Sequence, residues 1–134
     1  MADPATLLDG ELGTVARTTD PADIEAYSLD GWRPTVVIFP SSQEEASQVL
    51  RAAERRTMPV APWGSGSKQG LGNPPTQAGA VVCTSRLVGI PDYDPENLTV
   101  TALAGTTLSS LQETVRTRGQ KVPLDPPYAD TATI

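Results

Sequence analysis

The sequence predicts an α+β fold: a small parallel β–α–β sheet with helices, followed by the start of a second α/β subdomain. Three observations carry this. Thr35, Val36, Val37, Ile38 and Phe39 form an unbroken β-branched and aromatic run that ends at Pro40, the pattern of a strand buried on both faces. A capped amphipathic segment and a second short apolar run, Pro59-Val60-Ala61-Pro62, come next. Strand, helix and strand within roughly 30 residues read as a right-handed unit with parallel strands. Leu98-Thr99-Val100-Thr101-Ala102-Leu103 then opens another strand–helix–strand passage.

The first helix has both ends marked. Ser41 or Ser42 supplies the N-cap, each followed three residues on by a glutamate, Glu44 or Glu45, as in a capping box. Ala46, Val49, Leu50 and Ala53 share one apolar face. The acids fall in the first turn and Arg51, Arg55 and Arg56 toward the end, the order that the helix dipole favours. Ala80-Val81-Val82-Cys83 reads as a third short strand, and residues 91–97 as a turn.

In the second passage, Thr99 and Thr101 alternate with apolar residues as in a half-exposed strand. Thr106 or Thr107 can cap a helix whose stripe is Leu108, Leu111 and Val115, and Gly119 is its expected stop. Residues 121–124 read as the return strand. Residues 1–31 read as a peripheral N-terminal extension, with one short helix near 5–12 and another starting within 20–27. The organised domain is expected at 32–134.

Composition narrows the chemistry. A net charge of −6 argues against a nucleic-acid partner. The chain has no histidine, which removes imidazole-based triads and metal ligands, and its lone cysteine, Cys83, forms no internal disulfide. Cys83 reads as a small buried hydrophobe, and no metal site is expected. Asp92, Asp94 and Glu96 cluster, but calcium-loop spacing is missing, so they read as a solvated turn. No apolar run approaches ~20 residues and no signal-peptide pattern opens the chain. A cytoplasmic location is the expectation, with any membrane association made through partner subunits.

One segment looks like a site. After the second strand, Trp63-Gly64-Ser65-Gly66-Ser67-Lys68-Gln69-Gly70-Leu71-Gly72 holds four glycines within nine residues. Glycines can turn successive N–H groups toward an anion, Ser65 and Ser67 add hydroxyls, and Lys68 adds a mobile positive charge. A position directly after a parallel strand fits, because ligands of open α/β sheets bind beyond the strands' carboxyl ends. The loop is not a Rossmann fingerprint, since Gly70 comes one residue too late and Pro74 and Pro75 block an immediate helix. Nor is it a Walker A loop, because Lys68 lies between glycines. Phosphate is therefore expected on the loop's own backbone. A different nucleotide-binding module stays open on these residues alone.

The segment Pro59-Val60-Ala61-Pro62-Trp63-Gly64-Ser65-Gly66-Ser67-Lys68 resembles the pyrophosphate-binding stretch of FAD-binding domains of the vanillyl-alcohol oxidase / p-cresol methylhydroxylase type. Three further pieces fall in that family's order. They are Arg33-Pro34-Thr35-Val36-Val37 with Pro40-Ser41-Ser42-Gln43-Glu44-Glu45, Leu98-Thr99-Val100 with Ala104-Gly105-Thr106-Thr107-Leu108, and Pro123-Leu124-Asp125-Pro126-Pro127 with Thr131-Ala132-Thr133-Ile134. Within the family the chain is most similar to the FAD-binding subunit of bacterial glycolate oxidase, through Gly72-Asn73-Pro74-Pro75 and Leu124-Asp125-Pro126-Pro127.

The resemblance implies an FAD-dependent oxidoreductase acting on a small 2-hydroxy acid such as glycolate, with other oxidase subunits as partners. It implies cofactor contacts at Pro62, Trp63, Gly64, Ser65, Gly66, Ser67 and Lys68, and flavin contacts at Pro123, Leu124, Asp125 and Thr131. Read on its own, Asp125 is a turn residue. Ser67 stands where covalent-flavin members have histidine, so FAD is expected to be non-covalent. Trp63 stands where many relatives have arginine and Ser65 where many have glycine. These departures keep a second reading open, a non-catalytic assembly subunit that retains the fold. The family continues beyond the residue matching Ile134, so this stretch is expected to stop before the catalytic half, and no catalytic residue is assigned in it.

Overall fold

The computed structural model describes residue 8 and residues 10–134 of the chain. A four-stranded sheet in the order β1-β2-β4-β3 organises its first two-thirds. β2 (Val36–Phe39) and β3 (Val60–Trp63) both run parallel to β4 (Ala80–Cys83), which sits between them. β1 (Ala16–Thr18) adds an antiparallel edge beside β2.

The continuous apolar runs are explained by cover on both faces. Val36, Ile38, Ala80 and Val82 pack with Val49 and Ala52, while Val37, Val81, Ala61, Trp63 and Cys83 pack on the opposite side with Ile24 and Trp32. Val36, Val37 and Ile38 are fully buried, and each contributes about 1.5–3 kcal/mol relative to exposure.

The segment before Trp32 is not peripheral to this packing, which corrects the sequence expectation. Leu8, Leu12 and Val15 are buried in the same cluster as Val36 and Val49. Residues 16–18 carry no strong apolar alternation; they form β1 because β2 offers them a free edge. The expected helix at 5–12 lies partly outside the described residues, and residues 8 and 10–12 are helical. The second expected helix is α1 (Pro21–Glu25), whose Asp20 side chain accepts the Ala22 N–H.

α2 (Gln43–Arg55) follows the expected capping with one refinement. Ser42 Oγ accepts the Glu45 N–H at 3.1 Å, whereas the Glu45 carboxylate reaches past it to the Ser41 N–H at 2.7 Å and hydroxyl at 2.9 Å. These donors, the Ser41 amide first, hold the Glu45 carboxyl below its ordinary range. The buried face is Val49, Ala52 and Ala53, while Leu50 is 52% exposed. The small Ala52 therefore meets the sheet where Leu50 was expected to. At the far end, Arg55 and Arg56 both pair with Glu11.

The second subdomain is a hairpin against a helix. β5 (Asp92–Asp94) pairs antiparallel with β6 (Thr99–Thr101), so the segment read as a turn from residue 91 already carries a strand. The turn itself is narrower: Asp94 accepts from the Glu96 N–H and from both the backbone and side-chain amides of Asn97. α3 (Leu108–Arg116) is capped by Thr107 and buries Leu108, Leu111 and Val115 against Tyr93 and Val100. Gly119 takes φ +68°, the left-handed stop expected of it. Residues 121–124 form no strand. The Gln112 side chain binds both the N–H and the C=O of Val122, at 3.2 and 2.5 Å, and so occupies groups that a ladder would need.

Among the described residues, no helix is long and apolar enough to cross a membrane.

Candidate functional site

The glycine-rich loop leaves the carboxyl end of β3, an edge strand whose neighbour β4 also ends there. Trp63 closes the strand and anchors the loop from beneath. The residue is 9% exposed, and its ring meets Tyr27 edge-on, with centroids 5.1 Å apart. Gly66 arches back over that ring. Its φ is +78°, and an added Cβ would lie 2.8 Å from Trp63 Nε1. Only glycine has both the backbone freedom and the absent side chain that this crossing needs.

Gly64 meets a different limit. A Cβ there would fall 2.1 Å from Thr133 Oγ1, so the loop and the residue-133 segment touch through a glycine. That segment is fixed from the other side. Leu108 N–H donates to Ala132 O at 2.9 Å and Ile134 N–H to Thr106 O at 3.0 Å, as residues 107 and 133 form an antiparallel bridge. Thr106 is buried, and its hydroxyl bonds both the N–H and the C=O of Gly89, at 2.9 and 3.0 Å. Thr84 Oγ1 lies 3.4 Å from Trp63 O and 3.2 Å from Ala104 O, joining the loop base to the turn before α3.

Three chain segments therefore meet at the sheet's carboxyl edge: the loop after β3, the turn after β6, and residues 131–134. Among the described residues, the N–H groups of Gly64, Ser65, Gly66 and Ser67 donate to no group of the chain. Four successive amides beside a left-handed glycine are what an anion-binding backbone nest requires. The side chains above them are linked: Ser65 Oγ donates to Ser67 Oγ at 3.2 Å, and Lys68 Nζ donates to Ser67 Oγ at 3.1 Å and Pro127 O at 3.2 Å. The residues present thus fit a phosphate group on chemical grounds.

The sequence-selected residues do not all converge. Pro62 is exposed on the edge strand, and its carbonyl accepts from the Gln69 side chain. Lys68 reaches the turn at Pro127, and Thr131 bonds Tyr128 O within that turn. Pro123, Leu124 and Asp125 make no hydrogen bond to the loop among the described residues, and Leu124 is 54% exposed. Cys83, 2% exposed, directs its Sγ toward Gly64 O and Ser85 Oγ beneath the loop. A cleft of ≈ 600 Å³ along α2, lined by Ala46, Leu50 and Leu87 among others, includes none of these residues.

Comparison with known proteins is decisive for the family. Residues 34–134 match the FAD binding domain family. The chain belongs to that family. It is 31% identical over 133 residues to a D-lactate dehydrogenase of Archaeoglobus fulgidus, covering 92% of this chain and 29% of that protein. It is 32% identical over 101 residues to the glycolate oxidase subunit GlcD of Bacillus subtilis, covering 75% of this chain and 22% of that protein. The FAD-binding domain therefore spans less than a third of either relative's length. The crystal structure of p-cresol methylhydroxylase with substrate bound superposes with a TM-score of 0.72 at 14% identity, over 87% of this chain and 25% of that one. The fold is thus of the p-cresol methylhydroxylase type.

Sequence reading of this FAD-binding domain missed Thr84 and the packing role of Gly105. An added Cβ at Gly105 would fall 2.0 Å from Thr84 O, so the two turns interlock there. The Ala104-Gly105-Thr106 break was the only signal for it.

Proposed function

We propose that this FAD-binding domain belongs to a flavin-dependent oxidoreductase that oxidises a small 2-hydroxy acid. The observation that carries the reading is the run of four amides at Gly64, Ser65, Gly66 and Ser67 that meet no acceptor among the described residues, formed around a glycine that admits no side chain. With Lys68 they would hold the FAD diphosphate. Pro123, Leu124, Asp125 and Thr131 would lie along the flavin, with Pro62 and Trp63 shaping the base of the loop. When bound, FAD would supply the two-electron acceptor for converting a hydroxyl to a carbonyl. The residues here bind and orient it.

Binding through this stretch is non-covalent in this reading. The chain offers no histidine, and Cys83 is buried below the loop. The substrate class rests on the two relatives, whose names carry D-lactate and glycolate, both 2-hydroxy acids. The test is anaerobic addition of glycolate or D-lactate to the intact flavin-loaded protein. Bleaching of the flavin absorption by either supports the class, and no change with either contradicts it.

A second reading, a subunit that keeps the fold for assembly, is favoured by one feature. Trp63 packs into the core and its indole is uncharged, so it lends no charge to the cradle. A purified protein that neither carries nor takes up flavin would favour that reading.

A further inference from the structure

We propose that the exposed face of α2 is a contact surface for a second copy of this chain, the two α2 helices crossing antiparallel about a two-fold axis near Gln48. The surface lies apart from the glycine-rich loop, and the inference does not rest on the cofactor reading. The core takes Val49, Ala52 and Ala53 from this helix, while Glu44, Ser47, Leu50 and Arg51 stand exposed. Leu50, 52% exposed, lines a groove of ≈ 600 Å³ together with Ala46 and Leu87. An apolar knob next to an apolar hole suits a self-complementary contact, because each copy supplies both parts.

Charge decides the occupant. Glu44 and Arg51 lie seven residues apart, two turns of helix, so they share the exposed side. Neither makes an ion pair among the described residues. The Glu44 carboxyl is held below its ordinary range by its own backbone amide first and the Ser42 hydroxyl second, so it is charged at neutral pH. The midpoint of Glu44 and Arg51 falls between Ser47 and Gln48. Ala46 and Leu50 have theirs at Gln48, and Gln43 and Glu54 have theirs between Gln48 and Val49. These centres fall within one residue of each other, a rise of about 1.5 Å. One two-fold axis therefore sets Leu50 beside the second copy's Ala46, Glu44 against its Arg51, and Gln43 against its Glu54. The crossing point admits a close approach: Ser47 is small, and the Gln48 side chain is turned aside to donate to the Glu11 carbonyl.

One helix against another is a small contact, so the dimer is expected to be weak, dissociating in the micromolar range. The test is sedimentation equilibrium of the intact protein, with thermal unfolding of each variant as the check on folding. Leu50→Asp is expected to leave the protein monomeric. Glu44→Arg and Arg51→Glu each make both charge pairs repulsive, and each alone should weaken self-association at least about tenfold. An equimolar mixture of those two variants sets arginine against glutamate in both pairs, so it should associate as the wild type does. A folded wild type that stays monomeric at about 500 µM would overturn the proposal, leaving this face to solvent or to another part of the chain. So would a dimer that the three variants do not weaken, or a loss that mixing the charge variants does not restore.

Discussion

Thr133 Oγ1 occupies the space a side chain at Gly64 would need: the two would lie 2.1 Å apart. This single approach locks the loop after β3 to the last residues of the chain, and it sets the gap between them. Gly64→Ala is expected to destabilise the protein by about 1–3 kcal/mol, the usual range for overpacking, and to weaken flavin binding. The clash is with the hydroxyl oxygen, since the Thr133 Cβ is 3.5 Å away. Thr133→Ala should therefore rescue Gly64→Ala in a double-mutant cycle read by urea denaturation. Strictly additive losses would contradict the contact.

Gly66 tests the cradle in another way. At φ +78° over the Trp63 ring, Gly66→Ala meets a left-handed backbone cost of about 1–2 kcal/mol together with a steric clash. FAD affinity should fall by at least tenfold, whereas Gly70→Ala, with open space around it, should leave affinity nearly unchanged. Equal effects at the two positions would argue that the loop is merely flexible.

Thr106 holds the second subdomain to the turn at Gly89. Thr106→Val keeps the volume but leaves the Gly89 N–H and C=O without their hydroxyl partner. A cost of about 1–3 kcal/mol is expected from urea denaturation, and a change within the noise would show that water replaces the hydroxyl.

Glu11 bears on pH. Hydrogen bonds from Arg55 first and Arg56 second hold its carboxyl below the usual range. A depressed folded value contributes stability that is present above the unfolded pKa and lost as pH falls through the folded one. Glu11→Gln should therefore melt lower than the wild type at pH 7. The difference should shrink as pH falls below about 5 and go on shrinking through the depressed folded value. A gap that does not shrink on acidification would mean the contacts are not ionic.

Much of this architecture was legible because it rests on local rules. β2, α2, β4 and α3 followed from apolar runs, capping serines and threonines, and a stop glycine, all within a few residues of each other. What escaped depended on distant partners. β1 exists because β2 has an open edge, and residues 121–124 stay irregular because Gln112, ten residues back on α3, takes the backbone groups of Val122 through its side chain. Leu50 and Ala52 exchanged roles because helix periodicity leaves the exact buried azimuth to the sheet beneath. At the site, glycine content and position pointed to the loop. The reasons for individual glycines, Trp63 under Gly66 and Thr133 against Gly64, required the fold.

The most direct measurement is a visible absorption spectrum of the purified intact protein, taken before and after acid precipitation. A cradle of backbone amides holding FAD without a covalent bond predicts flavin bands that move into the acid supernatant. Bands that stay with the pellet would contradict non-covalent binding. A colourless protein that also takes up no added FAD would contradict the cradle itself.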